Sequence, residues 1–108
     1  MPDSFPCPYL ASDVELTDER RQHIIVEHDD FEPYMDFIGS TLLQPDVVRR
    51  SRRDPATRLL YRWYDDAKRG KYVMVVVVAD APPARRHWVV TAYLARRATG
   101  GVLEWERS

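Results

Sequence analysis

The sequence predicts an α+β fold, with two N-terminal helices packed on one face of a four-stranded antiparallel β-meander. Three observations carry that expectation. The apolar period is three to four residues before position 46 and two after it. The later breaks are short clusters of turn residues, which join antiparallel neighbours. No Gly/Ser-rich linker or internal repeat divides the 108 residues, so a single domain spanning 1–108 must assemble one core from all of them.

Residues 1–16 are expected as an N-terminal extension. With Pro2, Pro6, Pro8 and Asp3, and no basic segment ahead of an apolar one, this start does not read as a signal peptide. Thr17-Asp18-Glu19 then reads as an N-cap followed by acids that complement the helix dipole. A helix from about Asp18 to His28 follows, with Ile24, Ile25, His28 and Phe31 near one face. Pro33 suits the first turn of a second helix, in which Tyr34, Phe37, Ile38, Thr41 and Leu42 recur at helical spacing until Pro45 stops it.

Four strands are expected next: Val47 to Ser51, Arg58 to Tyr64, Lys71 to Ala79 and His87 to Ala95. Asp54-Pro55, Asp65 to Gly70, and Pro82-Pro83 separate them with turn chemistry. In the last strand Trp88, Val90, Ala92 and Leu94 are expected to face the core, and His87, Val89, Thr91 and Tyr93 the other side. In the second, Leu59, Tyr61 and Trp63 alternate with Arg58, Arg62 and Tyr64 around Leu60. Val75 to Val78 does not alternate, so that strand is expected to be central and covered on both faces. Gly100-Gly101 precedes a short tail, 102–108, whose Val102, Leu103 and Trp105 are expected at an edge.

A hydrophobic content of 44% with 31% charged residues excludes a disordered chain, and no long apolar run suggests a membrane span. Cys7 is the only cysteine, so neither an intramolecular disulfide nor a cysteine metal site is available, and a cytoplasmic setting is expected. The net charge of -1 conceals a division. Up to Val48, two bases stand against eleven acids; from Arg49 onward, fourteen bases stand against six acids. A basic half can attract phosphate, although the two halves can equally attract each other on folding.

Histidine, arginine, threonine and tyrosine on the polar sheet face form a set that can act on a phosphodiester without a metal or other cofactor. Histidine can move protons near neutrality, arginine can stabilise charge on phosphorus, and threonine and tyrosine can hydrogen-bond a phosphate. His23 and His28 are five residues apart, about 140° of helical rotation, and miss the spacing of a zinc helix by one residue. His28 is equally suited to a core or capping role. Asp29, Asp30 and Glu32 suit a solvated acidic turn better than a divalent ion site. Arg49-Arg50-Ser51-Arg52-Arg53 fits either phosphate binding or protection of an edge strand. Arg62, inside a well-formed strand, needs an anion or an acid partner.

These features occur in an ordered set: His23-Ile24 with His28, Thr41-Leu42, Pro45-Asp46, Arg50-Ser51 with Asp54-Pro55, Leu60-Tyr61-Arg62, Lys71-Tyr72, Val90 to Leu94, and Gly100 to Trp105. The set resembles a family of small bacterial and phage-associated proteins assigned to the barnase, EndoU, colicin and RelE-like (BECR-fold) ribonucleases. It spans about Leu16 to Trp105, and Thr91-Ala92-Tyr93 is similar to the Ser/Thr-x-Tyr element of EndoU-type enzymes. The family's His-Pro-Glu reads His28-Asp29-Asp30 here. The resemblance implies an RNA site on the sheet face opposite the helices. It also implies a metal-independent RNase, often a toxin with an antitoxin or immunity protein as partner. The expected catalytic residues are His23, His28, Arg62, Thr91 and Tyr93, with Arg50, Arg52, Arg58 and Tyr64 binding RNA. The alternative is a non-catalytic RNA- or protein-binding module with the same basic groove.

Overall fold

The computed structural model describes residues 3–80 and 86–108, so the expected Pro82-Pro83 turn lies outside the described residues. The described chain forms β1 (Asp3–Cys7), β2 (Ser12–Leu16), α1 (Asp18–Glu27), α2 (Phe37–Leu43), β3 (Val47–Arg50), β4 (Thr57–Tyr64), β5 (Lys71–Ala79), β6 (His87–Ala95) and β7 (Val102–Glu106). Short 3₁₀ segments at Pro8–Leu10 and Asp29–Tyr34 complete it. No helix is long and apolar enough to cross a membrane among the described residues.

The seven strands form one mixed sheet in the order β1-β2-β6-β5-β4-β3-β7. This corrects the expected four-stranded meander. Strands β3 to β6 are successive antiparallel neighbours, but they are the middle of a larger sheet. The expected extension supplies a β1-β2 hairpin, which joins β6 through the parallel pairs Val14↔His87 and Glu15↔Trp88. Pro6 is tolerated because β1 is an edge strand. The tail contributes β7, which pairs with β3 and forms the opposite edge.

Helix α1 begins as its sequence dictates, with the Thr17 hydroxyl accepting a hydrogen bond from the Arg20 N–H at 3.1 Å. The expected second helix is shorter than its apolar spacing suggested. Pro33 lies in the 3₁₀ segment, and α2 starts only at Phe37. The helices and the inner sheet face enclose Val14, Leu16, Ile24, Phe31, Ile38, Leu42, Val48, Leu60, Val73, Val75, Val77, Val89 and Ala92. Burying each large aliphatic side chain contributes about 1.5–3 kcal/mol. Val47, Tyr61 and Met74 form a smaller cluster on the outer face.

The two ends of the sheet meet across the inner side. Tyr9, in the turn between β1 and β2, donates a 2.6 Å hydrogen bond to Glu104 of β7, and its ring lies 5.8 Å from that of Trp105.

Two β-bulges change which side chains face inward. In the β5-β6 ladder Val76 pairs with Thr91 and Val77 with Val89, leaving Val90 as the extra residue. In the β3-β7 ladder Val48 pairs with Trp105 and Arg49 with Leu103, leaving Glu104 as the extra residue. The first bulge corrects the expected faces of β6. Val89 and Ala92 both enter the inner core, while Thr91 and Tyr93 pair with Val76 and Met74 of the outer face.

Candidate functional site

The structure does not bring Arg62 to Thr91 and Tyr93. Residues directly opposite in an antiparallel ladder point to one side of the sheet. Arg62 opposes the inner-face Val73, and Tyr93 opposes the outer-face Met74. Arg62 is held under α2, where it donates to the Ser40 carbonyl at 3.2 Å and lies 5.4 Å from the Tyr64 ring centroid. Tyr64 stacks on Phe37 at 4.2 Å, and its hydroxyl lies 3.1 Å from that of the buried Thr41. Both residues are occupied in docking α2 on the sheet.

A histidine from the acidic half does reach the outer face. Along β6, strand β2 covers the His87 end, and α1 packs beside β6 as well. The Arg20 Nε donates to the carbonyl of Val90 at 3.0 Å, and the His28 ring stacks on Tyr93 at 4.9 Å. The Thr91 hydroxyl is buried without a hydrogen-bond partner among the described residues. His23 lies half-buried on α1, and Arg52 is exposed in the turn after β3. The acidic turn gathers no metal-ligating set among the described residues, and its Asp30 pairs with Lys68 at 3.0 Å.

A polar cluster lies on the inner face, at the end of the sheet near Tyr9. The bulge at Glu104 aims its carboxylate at Arg58, whose Nε donates to it at 2.8 Å, and at Arg50, 3.9 Å away. Tyr9 donates to the same Oε1 as Arg58. Arg58 also donates to the Pro55 carbonyl, which fixes its guanidinium. Burial pushes the Glu104 carboxyl up, but the hydrogen bonds from Tyr9 and Arg58 and the charges of Arg58 and Arg50 outweigh burial. Glu104 therefore sits below the ordinary carboxylate value. Burial, followed by the hydrogen bond to Glu104 and its charge, pushes the Tyr9 phenol up to about 12.

Arg58 and His87 share a cleft with Leu10, Ala56, Val77 and Ala79, about 130 Å³ in volume. A neighbouring cavity of about 390 Å³ shares Leu10, Ala79 and His87 with it, so the two adjoin along the histidine. His87 lies opposite Ala79 and reaches the inner side because of the Val90 bulge; regular alternation would leave it beside Thr91 and Tyr93. Its Nδ1 is buried without a partner among the described residues. The inner face thus carries an ionised carboxylate, two guanidinium groups and an imidazole with an unengaged nitrogen. That set can accept a proton, donate one, and stabilise an oxyanion.

Of the residues expected to act, Arg50 and Arg58 lie in this cluster, and His28, Thr91 and Tyr93 lie together on the outer face. Tyr9, His87 and Glu104 were not among the expected site residues. Glu104 falls inside the Gly100 to Trp105 segment that contributes to the family resemblance, and this was its only sequence signal. Cys7 is buried and its thiol is pushed up by burial, which opposes a nucleophilic role. Comparison with protein families, with curated proteins and with solved structures returned no match, so the site's own chemistry carries the functional reading.

Proposed function

We propose that this protein is a metal-independent RNA endonuclease acting at the inner-face cleft. The observation that carries the reading is the Glu104 carboxylate, held ionised by Tyr9, Arg58 and Arg50, beside a cleft that Arg58 shares with His87. The 2′-hydroxyl attacks the adjacent phosphorus and gives its proton to Glu104. The bond from phosphorus to the 5′-oxygen breaks, and the His87 imidazole supplies a proton to the leaving oxygen. Arg58 and Arg50 stabilise the charge on the phosphoryl oxygens, leaving a 2′,3′-cyclic phosphate and a 5′-hydroxyl. A phosphate that draws Arg58 toward itself also weakens that residue's hold on Glu104, which raises the basicity of the carboxylate.

The family resemblance supports the same chemistry and supplies a biological setting, a toxin neutralised by an antitoxin or immunity protein. That setting predicts growth arrest when the chain is expressed without its neutralising partner. The stacking of His28 on Tyr93, beside the unpartnered Thr91 hydroxyl, favours a second location for the reaction on the outer face.

Cleavage of total RNA in EDTA separates these readings. At the inner cleft, Glu104→Gln, His87→Ala and Arg58→Ala each lower the rate by about 100-fold or more, while His28→Ala and Tyr93→Phe leave it near wild type. The reverse pattern places the reaction on the outer face. Salt-sensitive RNA binding without cleavage identifies a non-catalytic binding module.

A further inference from the structure

The inner cluster has an apolar neighbour that the proposed reaction does not use. Trp105 follows the bulged Glu104 and opposes Val48 across the β3-β7 ladder, which places its indole on the inner side. It remains 38% exposed, and its ring partner among the described residues is Tyr9, tilted at 52° with the centroids 5.8 Å apart. The indole therefore lies beside the cationic cluster around Glu104 with part of its surface in contact with water. The cations continue past it: Arg50 is half-exposed, and the exposed Arg52 and Arg53 have no carboxylate partner among the described residues.

An exposed indole beside guanidinium groups matches one chemistry closely, a nucleobase joined to a phosphate. The base supplies a π face for stacking and the phosphate supplies the negative charge. In a duplex each base is already stacked on both sides, so only an unpaired base can lie on the indole. We infer that Trp105, backed by Tyr9, is a base-stacking platform for the nucleotide whose phosphate lies at Arg50 and Arg58, and that the cleft takes single-stranded RNA. The inference rests on the reading of the cleft as an RNA site, and it adds the residue that selects unpaired substrate.

The test uses 2′-O-methyl oligonucleotides, which lack the attacking hydroxyl and bind without being cleaved. In a Trp63→Phe, Trp88→Phe background the remaining indole fluorescence reports on Trp105 alone. A single-stranded probe is expected to quench that fluorescence and to bind at least ten-fold more tightly than its duplex, and Trp105→Ala weakens single-strand binding by roughly ten-fold or more. Trp105→Phe keeps a ring and restores most of the affinity, which separates stacking from a folding defect. Equal binding of single strand and duplex, no binding of either, or unchanged affinity in Trp105→Ala overturns the inference. The cleavage assay stands apart: RNA cut equally well by wild type and Trp105→Ala defeats the stacking platform and leaves the nuclease. Trp105-dependent binding by a protein that cuts no RNA does the opposite.

Discussion

At the scale of single residues, Glu104 ties together Tyr9, Arg58 and Arg50. Its carboxyl is held below the ordinary value, so its contribution to stability is present above the usual carboxylate range and is lost as pH falls through its own lower pKa. Glu104→Gln is therefore expected to flatten the acid side of a melting-temperature profile below about pH 4.5. If the cleft cleaves RNA as proposed, the same group is expected to set the acid limb of kcat/KM below the ordinary carboxylate value. Tyr9 gives the opposite sign, because a phenol raised to about 12 stabilises the fold below pH ~10 and loses that contribution above it. Tyr9→Phe removes this alkaline dependence in the same melts. Arg62 makes a contrasting case. Its bond to Ser40 and its position over Tyr64 predict that Arg62→Ala costs about 1–2 kcal/mol in chemical denaturation while leaving the chemistry of the cleft intact.

At the scale of elements, the two bulges decide which side chains converge. The bounds of β5 and β6 follow from the turn residues that flank them in the sequence, and those of β3 and β4 differ from expectation by one residue. The faces of β6 do not follow from alternation, because nothing in His87-Trp88-Val89-Val90 marks Val90 as the extra residue. The edge expected for Val102, Leu103 and Trp105 is real, yet the bulge that aims Glu104 inward depends on pairing with β3. Gly101 positions that strand. Its φ is +63°, and a Cβ there would overlap the Arg50 carbonyl oxygen. Arg49 clamps the same turn through the carbonyls of Gly100 and Gly101, and the Tyr61 hydroxyl accepts the Gly100 N–H at 3.2 Å. Gly101→Ala is expected to destabilise the protein by about 1–3 kcal/mol and to reduce cleavage beyond what stability explains, measured by denaturation and RNA turnover together.

At the scale of the whole molecule, the charge division becomes a contact and a surplus. Lys68 with Asp30, Arg86 with Glu15 and Arg107 with Asp46 join the basic and acidic halves. Arg52 and Arg53 remain without an acidic partner among the described residues, on the turn beside the cleft. If the cleft takes RNA as proposed, affinity should fall steeply with salt, and Arg52→Ala with Arg53→Ala should flatten that dependence by roughly 0.7 for each phosphate the protein no longer neutralises. The parts of the fold that escaped the sequence reading are its long-range closures. Pro6 and Pro8 disguised β1 and its turn as an extension, and the bond from Tyr9 to Glu104 spans 95 residues that no local pattern connects.

The central proposal is that RNA is cut through its own 2′-hydroxyl at the cleft that holds Glu104. Its most direct test is an oligonucleotide with one ribonucleotide in a deoxyribose background, incubated in EDTA and followed by mass spectrometry. Wild type is predicted to cut only after the ribonucleotide, leaving a 2′,3′-cyclic phosphate, and Glu104→Gln to leave the strand intact on the same timescale. Cutting of the all-deoxy strand, or undiminished cutting by Glu104→Gln, would contradict it.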